Sequence, residues 1–190
     1  MKKFDIKEVL VPTISLFLIC TVVTFLLAVT NSVTAPKIEQ LQIETANKTK
    51  AAVLSVAESF SDEKTVEHNG ASYTYYEGYD AENNIAGYVF TTSAKGYGGD
   101  IITMVGIRAD GTVAGMDFLS ISETAGLGMN ADSDDFKSQF IGKSGVIGVN
   151  KNTSTETEIQ ALSGATITSK AVTEAVNIAL ELFEEVGKNG

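Results

Sequence analysis

A short segment near the C-terminus, SGATITS at residues 163–169, contains four hydroxyl side chains separated by small residues. A helical apolar periodicity starts at Thr168, so the segment lies at a helix N-terminus. Unpaired N–H groups and a partial positive charge favour a phosphate at such a position. Serine and threonine also cap helices in proteins of every kind, and the segment lacks the spacing of a P-loop or Rossmann fingerprint. Composition alone therefore favours a helix cap over an anion site.

Two glycine-rich segments could allow a ligand to approach the backbone closely. KGYGGD at residues 95–100 leads into the apolar run IITMVGI, and ETAGLG at residues 123–128 follows the next apolar run. Glycine also supplies the positive φ that ordinary turns require. Each segment taken by itself is therefore explained as a turn.

Side chains for metal and thiol chemistry are scarce. His68, the single histidine, lies in the polar stretch EHNG, where a solvated turn residue is expected. Cys20, the single cysteine, lies in an apolar run, so the rest of the chain has no disulfide or thiolate metal site. A lipid-modified Cys20 is disfavoured because the large Ile19 precedes it. We predict no metal site and no catalytic side chain.

Three aspartates, Asp132, Asp134 and Asp135, suggest the start of a calcium loop. The position that should supply a bidentate glutamate holds Lys143, which argues against calcium. Carboxylates are also stabilised at the positive N-terminus of a helix. The sequence therefore predicts a short helix over 132–141 that these aspartates open.

The remaining pattern predicts the elements that hold these segments. Short β-branched and aromatic runs bounded by turn dipeptides predict strands at 71–78, 85–93, 100–108 and 112–120. Apolar residues spaced by three and four predict an amphipathic helix over 168–186 and a mainly helical segment over 36–59 that Pro36 begins. The predicted fold class is α+β, an N-terminal transmembrane helix followed by an antiparallel sheet domain with flanking helices.

The N-terminal run from Val9 to Thr30 contains 22 residues without a charge, and about 20 suffice to cross a bilayer. A cleaved signal peptide is the alternative, but its apolar region spans only about 7–15 residues. Lysines 2, 3 and 7 precede the run, so the positive-inside bias places the N-terminus in the cytoplasm. We predict a cytoplasmic segment at 1–8, a transmembrane helix at 9–33, a connecting helix at 34–60 and an extracytoplasmic domain at 61–190.

The net charge of the chain is −10, and residues 1–36 carry +1, which leaves −11 on the remaining 154 residues. Such a surface repels phosphate backbones, so nucleic acid is excluded as a partner. A length of 190 residues accommodates a membrane helix and one compact domain.

Taken together, three segments resemble the FMN-binding domain of the G subunit of the Rnf electron-transport complex and the C subunit of the sodium-translocating NADH:quinone reductase. The segment SGATITS resembles the flavinylation motif of that family, with Gln160 where an aspartate usually precedes the acceptor by six positions. KGYGGD matches a second family segment. ETAGLG resembles the family's ETPGLG, with Ala125 in place of proline. The length of the chain is closer to that of the Rnf G subunit.

The resemblance implies covalent FMN on Thr166, attached through a phosphoester by a flavin transferase that uses FAD as the donor. It implies an electron carrier in the membrane of the cell, whose partners are the other membrane subunits of the Rnf complex and the lipid bilayer. The cofactor-binding residues that it implies are Thr166, Ser163, Gly164, Ala165, Thr168, Ser169, Glu123, Thr124, Gly126 and Leu127. Two other functions stay open, a membrane-tethered binding or sensory module and a stand-alone extracellular flavin reductase.

Overall fold

A single helix, α1, runs from Ile6 to Val53 in the computed structural model, which describes residues 6–188. Its N-terminal part exposes apolar side chains on all sides. Of the helices in the described chain, this one is long and apolar enough to cross a membrane. It therefore fits a membrane anchor. Residues 1–5, which hold most of the predicted cytoplasmic segment, lie outside the described residues.

Pro36 lies inside α1 and does not begin a second helix. The predicted mainly helical segment over 36–59 is helical as far as Val53, but the prediction that Pro36 begins it is wrong, because α1 continues through Pro36. A proline in a helix removes one backbone hydrogen bond, at a cost of about 3 kcal/mol. The helical segments on either side are long enough to outweigh that cost.

The chain divides into two compact units, Met1–Glu44 and Thr45–Gly190. Within the second unit the elements after α1 are β1 (Ser59–Phe60), β2 (Lys64–His68), β3 (Ala71–Tyr79), β4 (Ile85–Lys95), β5 (Asp100–Arg108), β6 (Val113–Ser120), α2 (Asp134–Lys137), β7 (Gly148–Asn150), β8 (Glu158–Gln160) and α3 (Thr166–Lys188). The four predicted strands correspond to β3, β4, β5 and β6. The predicted C-terminal helix corresponds to α3.

Among the described residues, strands β1 to β6 form one antiparallel sheet. Strands β3, β4, β5 and β6 are neighbours in chain order, and β1 and β2 both pair with β3. The predicted hairpin across Asp110-Gly111 is confirmed as β5–β6. Strand β2 was not predicted, although Asn69 and Gly70 adopt the positive φ values of a tight hairpin turn, 50° and 78°. Strands β7 and β8 form a separate parallel pair.

The sheet is covered on both faces. Helix α3 packs on one face, where Phe90, Val105 and Val172 are fully buried in the main core. The end of α1 packs on the other face, where Val53 and Leu54 contact a smaller cluster. Alternate residues of a strand point to opposite faces, so β4 contributes Phe90 to one cluster and a neighbouring valine to the other. The α+β class is confirmed, and the sheet holds the loops at its ends in fixed places.

In place of one helix over 132–141, the chain forms three short helical pieces between Gly128 and Phe140. A 3₁₀ turn at Gly128–Asp132 precedes α2, and another at Ser138–Phe140 follows it. Ser133 caps α2, because its side chain accepts a hydrogen bond from the N–H of Phe136. The aspartates therefore flank the cap and do not provide it, and Asp132 pairs with Lys137 at 3.1 Å.

The prediction that His68 is a solvated turn residue is wrong. His68 ends β2, its side chain is 12% exposed, and its ring contacts two carboxylates of α3. The Nδ1 atom lies 2.8 Å from Glu185 Oε1, and the Nε2 atom lies 3.0 Å from Glu181 Oε2. The pairing of β2 with β3 places His68 next to α3. Because β2 was not predicted, this position of His68 was not predicted either.

Candidate functional site

The first turn of α3 presents unpaired backbone donors. The carbonyl of Ala165 accepts the first helical hydrogen bond, from the N–H of Ser169 at 3.0 Å. The N–H groups of Thr166, Ile167 and Thr168 therefore precede the repeating bonds of the helix, and none has an acceptor among the described residues. These donors and the helix dipole suit a phosphate group.

The four hydroxyls of segment 163–169 differ in their availability. Ser169 is fully buried, donates to Ala165 O at 3.0 Å and accepts from the N–H of Leu162 at 2.9 Å. Thr168 is 1% exposed and donates to Glu123 Oε2 at 3.0 Å. Thr166 is half-buried, and its hydroxyl forms no hydrogen bond with any residue from 6 to 188. Ser163 is exposed. Thr166 and Ser163 are thus the two hydroxyls of the segment that are open to a reaction.

A cleft of about 540 Å³ lies against this helix start. Its lining residues come from three separated segments: Tyr97, Glu123, Thr124, Leu127, Gly128, Gly164, Ala165, Thr166, Ile167 and Thr168. The three segments that share the family resemblance therefore meet in one place. Clefts of about 300–1,000 Å³ are typical of small-molecule sites.

Seven of the ten predicted cofactor-binding residues line this cleft, and three do not. Ser169 points back into the protein to hold Leu162, so it is a structural residue. Ser163 lies on a different surface, next to Gln139 and Gln160. Gly126 is exposed at the tip of its turn, with a φ of 75°. Ser163 and Ser169 are next to the two ends of the lining run 164–168, whereas Gly126 lies between the lining residues Thr124 and Leu127.

The cleft also contains residues that sequence reasoning missed, Tyr97, Ile167 and Gly128. Tyr97 and Ile167 are large side chains that are 72% and 56% exposed, and Leu127 is 45% exposed beside them. All three missed residues belong to the motifs already singled out, KGYGGD, SGATITS and ETAGLG. For Tyr97 and Ile167 the available signal was a large side chain inside a motif, since such side chains favour contact with a ligand when they are exposed. Gly128 is buried and gave no such signal.

Glu123 joins the three segments of the cleft. Its Oε1 atom accepts hydrogen bonds from the N–H of Tyr97 at 2.8 Å and of Gly98 at 3.2 Å. Its Oε2 atom accepts from the hydroxyl of Thr168 at 3.0 Å. The carboxylate therefore connects the loop before β5 and the turn after β6 to the start of α3.

The residues of the cleft fit FMN. Tyr97, Leu127 and Ile167 provide apolar surface for a planar aromatic ring. The unpaired N–H groups at the start of α3 suit a phosphate, and the free hydroxyl of Thr166 lies on the same turn. Within the described residues, no group of three or more histidine, cysteine or acidic side chains is placed to hold a metal ion.

Comparison with known proteins gives the family. Residues 96–181 match the FMN-binding domain family, and this range contains the whole cleft. The chain is 35% identical to the G subunit of the Na⁺-translocating ferredoxin:NAD⁺ oxidoreductase complex of Acetobacterium woodii, over 98% of this chain and 97% of that relative. It is also 35% identical to the G subunit of the proton-translocating ferredoxin:NAD⁺ oxidoreductase complex of Clostridium ljungdahlii, over 95% and 94% of the two chains.

A solved structure supports the fold. NqrC of Shewanella oneidensis superposes with a TM-score of 0.54 at 19% identity, over 72% of this chain and 73% of that one. The fold and the cleft define the class, an FMN-binding protein with an N-terminal helix that fits a membrane anchor. The chain belongs to the family of G subunits of ion-translocating ferredoxin:NAD⁺ oxidoreductase complexes.

Proposed function

We propose that this chain carries FMN bonded covalently to Thr166 and serves as an electron carrier in an ion-translocating ferredoxin:NAD⁺ oxidoreductase complex. Membership of the G-subunit family supports the electron-carrying role and the association with other subunits of the complex. The observation that supports a covalent bond is the position and the free hydroxyl of Thr166. Among the hydroxyls of segment 163–169, its hydroxyl alone both lines the cleft and lacks a hydrogen-bond partner in the described chain.

The attachment requires a simple exchange of bonds. The Oγ1 atom of Thr166 bonds to the phosphorus of the FMN half of FAD, the pyrophosphate bond breaks, and AMP leaves with its phosphate. The hydroxyl proton passes to a base of the flavin transferase or to water. The unpaired N–H groups of Thr166, Ile167 and Thr168 then stabilise the remaining negative charge of the phosphodiester.

The other residues of the cleft bind and orient the flavin. Once bound, FMN supplies the reversible uptake of electrons. Leu127 and Ile167, which line the cleft, would contact the ring, and Gly164 would let the backbone come close to it. Gly164 has a φ of 74°, and a Cβ atom there would lie 3.1 Å from Leu127 Cδ2. A side chain at position 164 would therefore strain the backbone of the turn and crowd the side chain of Leu127.

The proposed arrangement in the cell follows the charge pattern of the N-terminus. The three lysines at positions 2, 3 and 7 favour residues 1–8 in the cytoplasm, the helix within 9–33 in the lipid bilayer, and the domain from residue 61 outside the cytoplasm. Residues 34–60 connect the two. The apolar run supports contacts with lipid and with the other membrane subunits.

Intact-mass spectrometry of the chain co-expressed with a flavin transferase tests the covalent bond. We expect the wild-type mass to increase by the mass of FMN less one water molecule and the denatured protein to fluoresce on a gel. We expect Thr166→Ala to lose both. Ser163→Ala is the matched control, since it removes the other open hydroxyl and should keep the flavin. Flavin that survives in Thr166→Ala would contradict the acceptor. A wild-type mass equal to that of the unmodified chain would instead support a binding or sensory module.

A further inference from the structure

The carboxylate of Glu123 joins its own segment to two others that are far away in the chain. Its partners are Tyr97 and Gly98, which precede it by 26 and 25 residues, and Thr168, which follows it by 45. Oε1 accepts two backbone N–H groups and Oε2 accepts a hydroxyl. Hydrogen bonds to an ionised acceptor are about twice as strong as neutral ones. Both oxygens of Glu123 are thus engaged by the protein itself.

Two glycines make room for this carboxylate. A Cβ atom at Gly96 would overlap Glu123 Oε1. A Cβ atom at Gly128 would lie 2.6 Å from Glu123 Oε2 and 2.7 Å from Thr168 Oγ1. Any larger residue at either position would displace the hydrogen bonds. Gly96 of KGYGGD and Gly128 of ETAGLG therefore leave the space that the carboxylate of Glu123 occupies.

The bond to Thr168 attaches the first turn of α3 to the turn after β6. Thr168 lies two residues after Thr166, so the two side chains point in different directions from the same turn. Both side chains line the cleft, but Glu123 engages the hydroxyl of Thr168, whereas the hydroxyl of Thr166 has no partner among the described residues. The same carboxylate holds the loop of Tyr97, which forms another wall of the cleft.

We infer that Glu123 is a positioning residue, and that its hydrogen bonds assemble the cleft and orient Thr166 before any flavin is attached. The part of the inference that concerns flavin attachment by Thr166 rests on the proposed function. The effect of Glu123 on the flavin-free protein does not depend on the proposed function, because every contact of Glu123 used here lies within the chain.

Amide hydrogen exchange tests the inference in the Thr166→Ala background, where no flavin can be attached at that position. Tyr97 and Gly98 are exposed, so the bond to Glu123 is what protects their N–H groups from exchange. We expect Glu123→Ala to speed their exchange by about tenfold or more, corresponding to the loss of a charge-assisted hydrogen bond. We expect Glu123→Gln to have a smaller effect, because its Oε1 still accepts both amides and its Nε2 can donate to Thr168 Oγ1.

Flavin attachment is then measured by intact mass in chains that retain Thr166. We expect the flavin-bearing fraction to fall several-fold in Glu123→Ala and to recover in Glu123→Gln. Thr168→Val removes one bond and should lower the fraction while the amides of Tyr97 and Gly98 stay protected. Glu82→Ala is the matched control, since this glutamate lies in an exposed turn between β3 and β4 and should change neither readout. Circular dichroism confirms that each variant is folded.

The outcomes separate the two proposals. Unchanged exchange in Glu123→Ala overturns the inference, and so does faster exchange with an unchanged flavin-bearing fraction. A wild-type chain without flavin overturns the proposed function and the effect of Glu123 on attachment, while the exchange rates still decide whether Glu123 assembles the cleft.

Discussion

Hydroxyls within one turn of α3 have different roles because of what surrounds them. Ser169 is buried and bridges the carbonyl of Ala165 and the N–H of Leu162. It therefore holds the segment that leads into the helix. We predict that Ser169→Ala lowers the free energy of unfolding by about 1–3 kcal/mol, because the N–H of Leu162 loses its partner. Urea unfolding measures the change. Ser163→Ala is the control, since Ser163 is exposed, and an equal loss in both variants would contradict the bridging role.

Thr103 presents the opposite case, a buried hydroxyl without a partner. It lies in β5, is 0% exposed, and its Oγ1 atom has no hydrogen bond within the described chain. Burying an unpaired hydroxyl costs about 1–3 kcal/mol. Valine has nearly the same shape and favours strands. We predict that Thr103→Val raises the free energy of unfolding by about 1 kcal/mol. A lower melting temperature in this variant would contradict the prediction. Thr92→Val is the contrasting variant, because that hydroxyl donates to Ala175 O.

At the scale of elements, His68 links β2 to α3. Hydrogen bonding to Glu185 raises the pKa of His68 above its usual 6.5, burial opposes that rise, and Glu181 adds to it. The protonated imidazole is stabilised in the folded state, so the stability from this link is fully present below about pH 6.5. It is lost as the pH rises through the higher pKa of the folded state.

We therefore predict that wild-type protein exceeds His68→Asn in stability below about pH 6.5 and that the difference shrinks as the pH rises above that value. Thermal unfolding of both proteins across about pH 5.5 to 9 measures the difference. Asn69 and Tyr73 also contact the imidazole and are unchanged in the variant. A difference that grows with pH would show that the link acts through the neutral imidazole.

The sequence predicted an element well where the burial of one face requires apolar residues at regular spacing. Strand β5 matched its predicted bounds, and α3 began only two residues before its prediction, because both bury regular apolar faces. Strand β2 is short, polar and mostly exposed, so its pairing with β3 came from tertiary contact. Strands β7 and β8 have three residues each, too few to show a period. Composition alone favoured a helix cap within residues 163–169. The three segments meet around Glu123 only because the sheet places them there.

At the scale of the whole molecule, the compact unit begins before the predicted domain boundary at residue 61. The unit Thr45–Gly190 includes the last turns of α1. Val53 and Leu54 are 2% and 0% exposed and contact Val89 and Met104 of the sheet. The ammonium group of Lys50 lies 3.9 Å from the centre of the Tyr76 ring, a cation–π contact. The end of α1 therefore belongs to the core of the domain.

We predict that a chain starting at Thr45 folds in water, and that a chain starting at Ser61 is unstable. The longer chain lacks the apolar run of the anchor, so it needs no detergent. The shorter chain exposes one face of the sheet and loses Val53 and Leu54, whose burial contributes about 1.5–3 kcal/mol each. Domains of this size have total stabilities of only about 5–15 kcal/mol. Urea unfolding compares the two chains, and Leu54→Ala in the longer chain should lose about 2–5 kcal/mol. Equal stability of the two chains would contradict this prediction. It would place the domain boundary at residue 61 and show that the end of α1 is not part of the domain core.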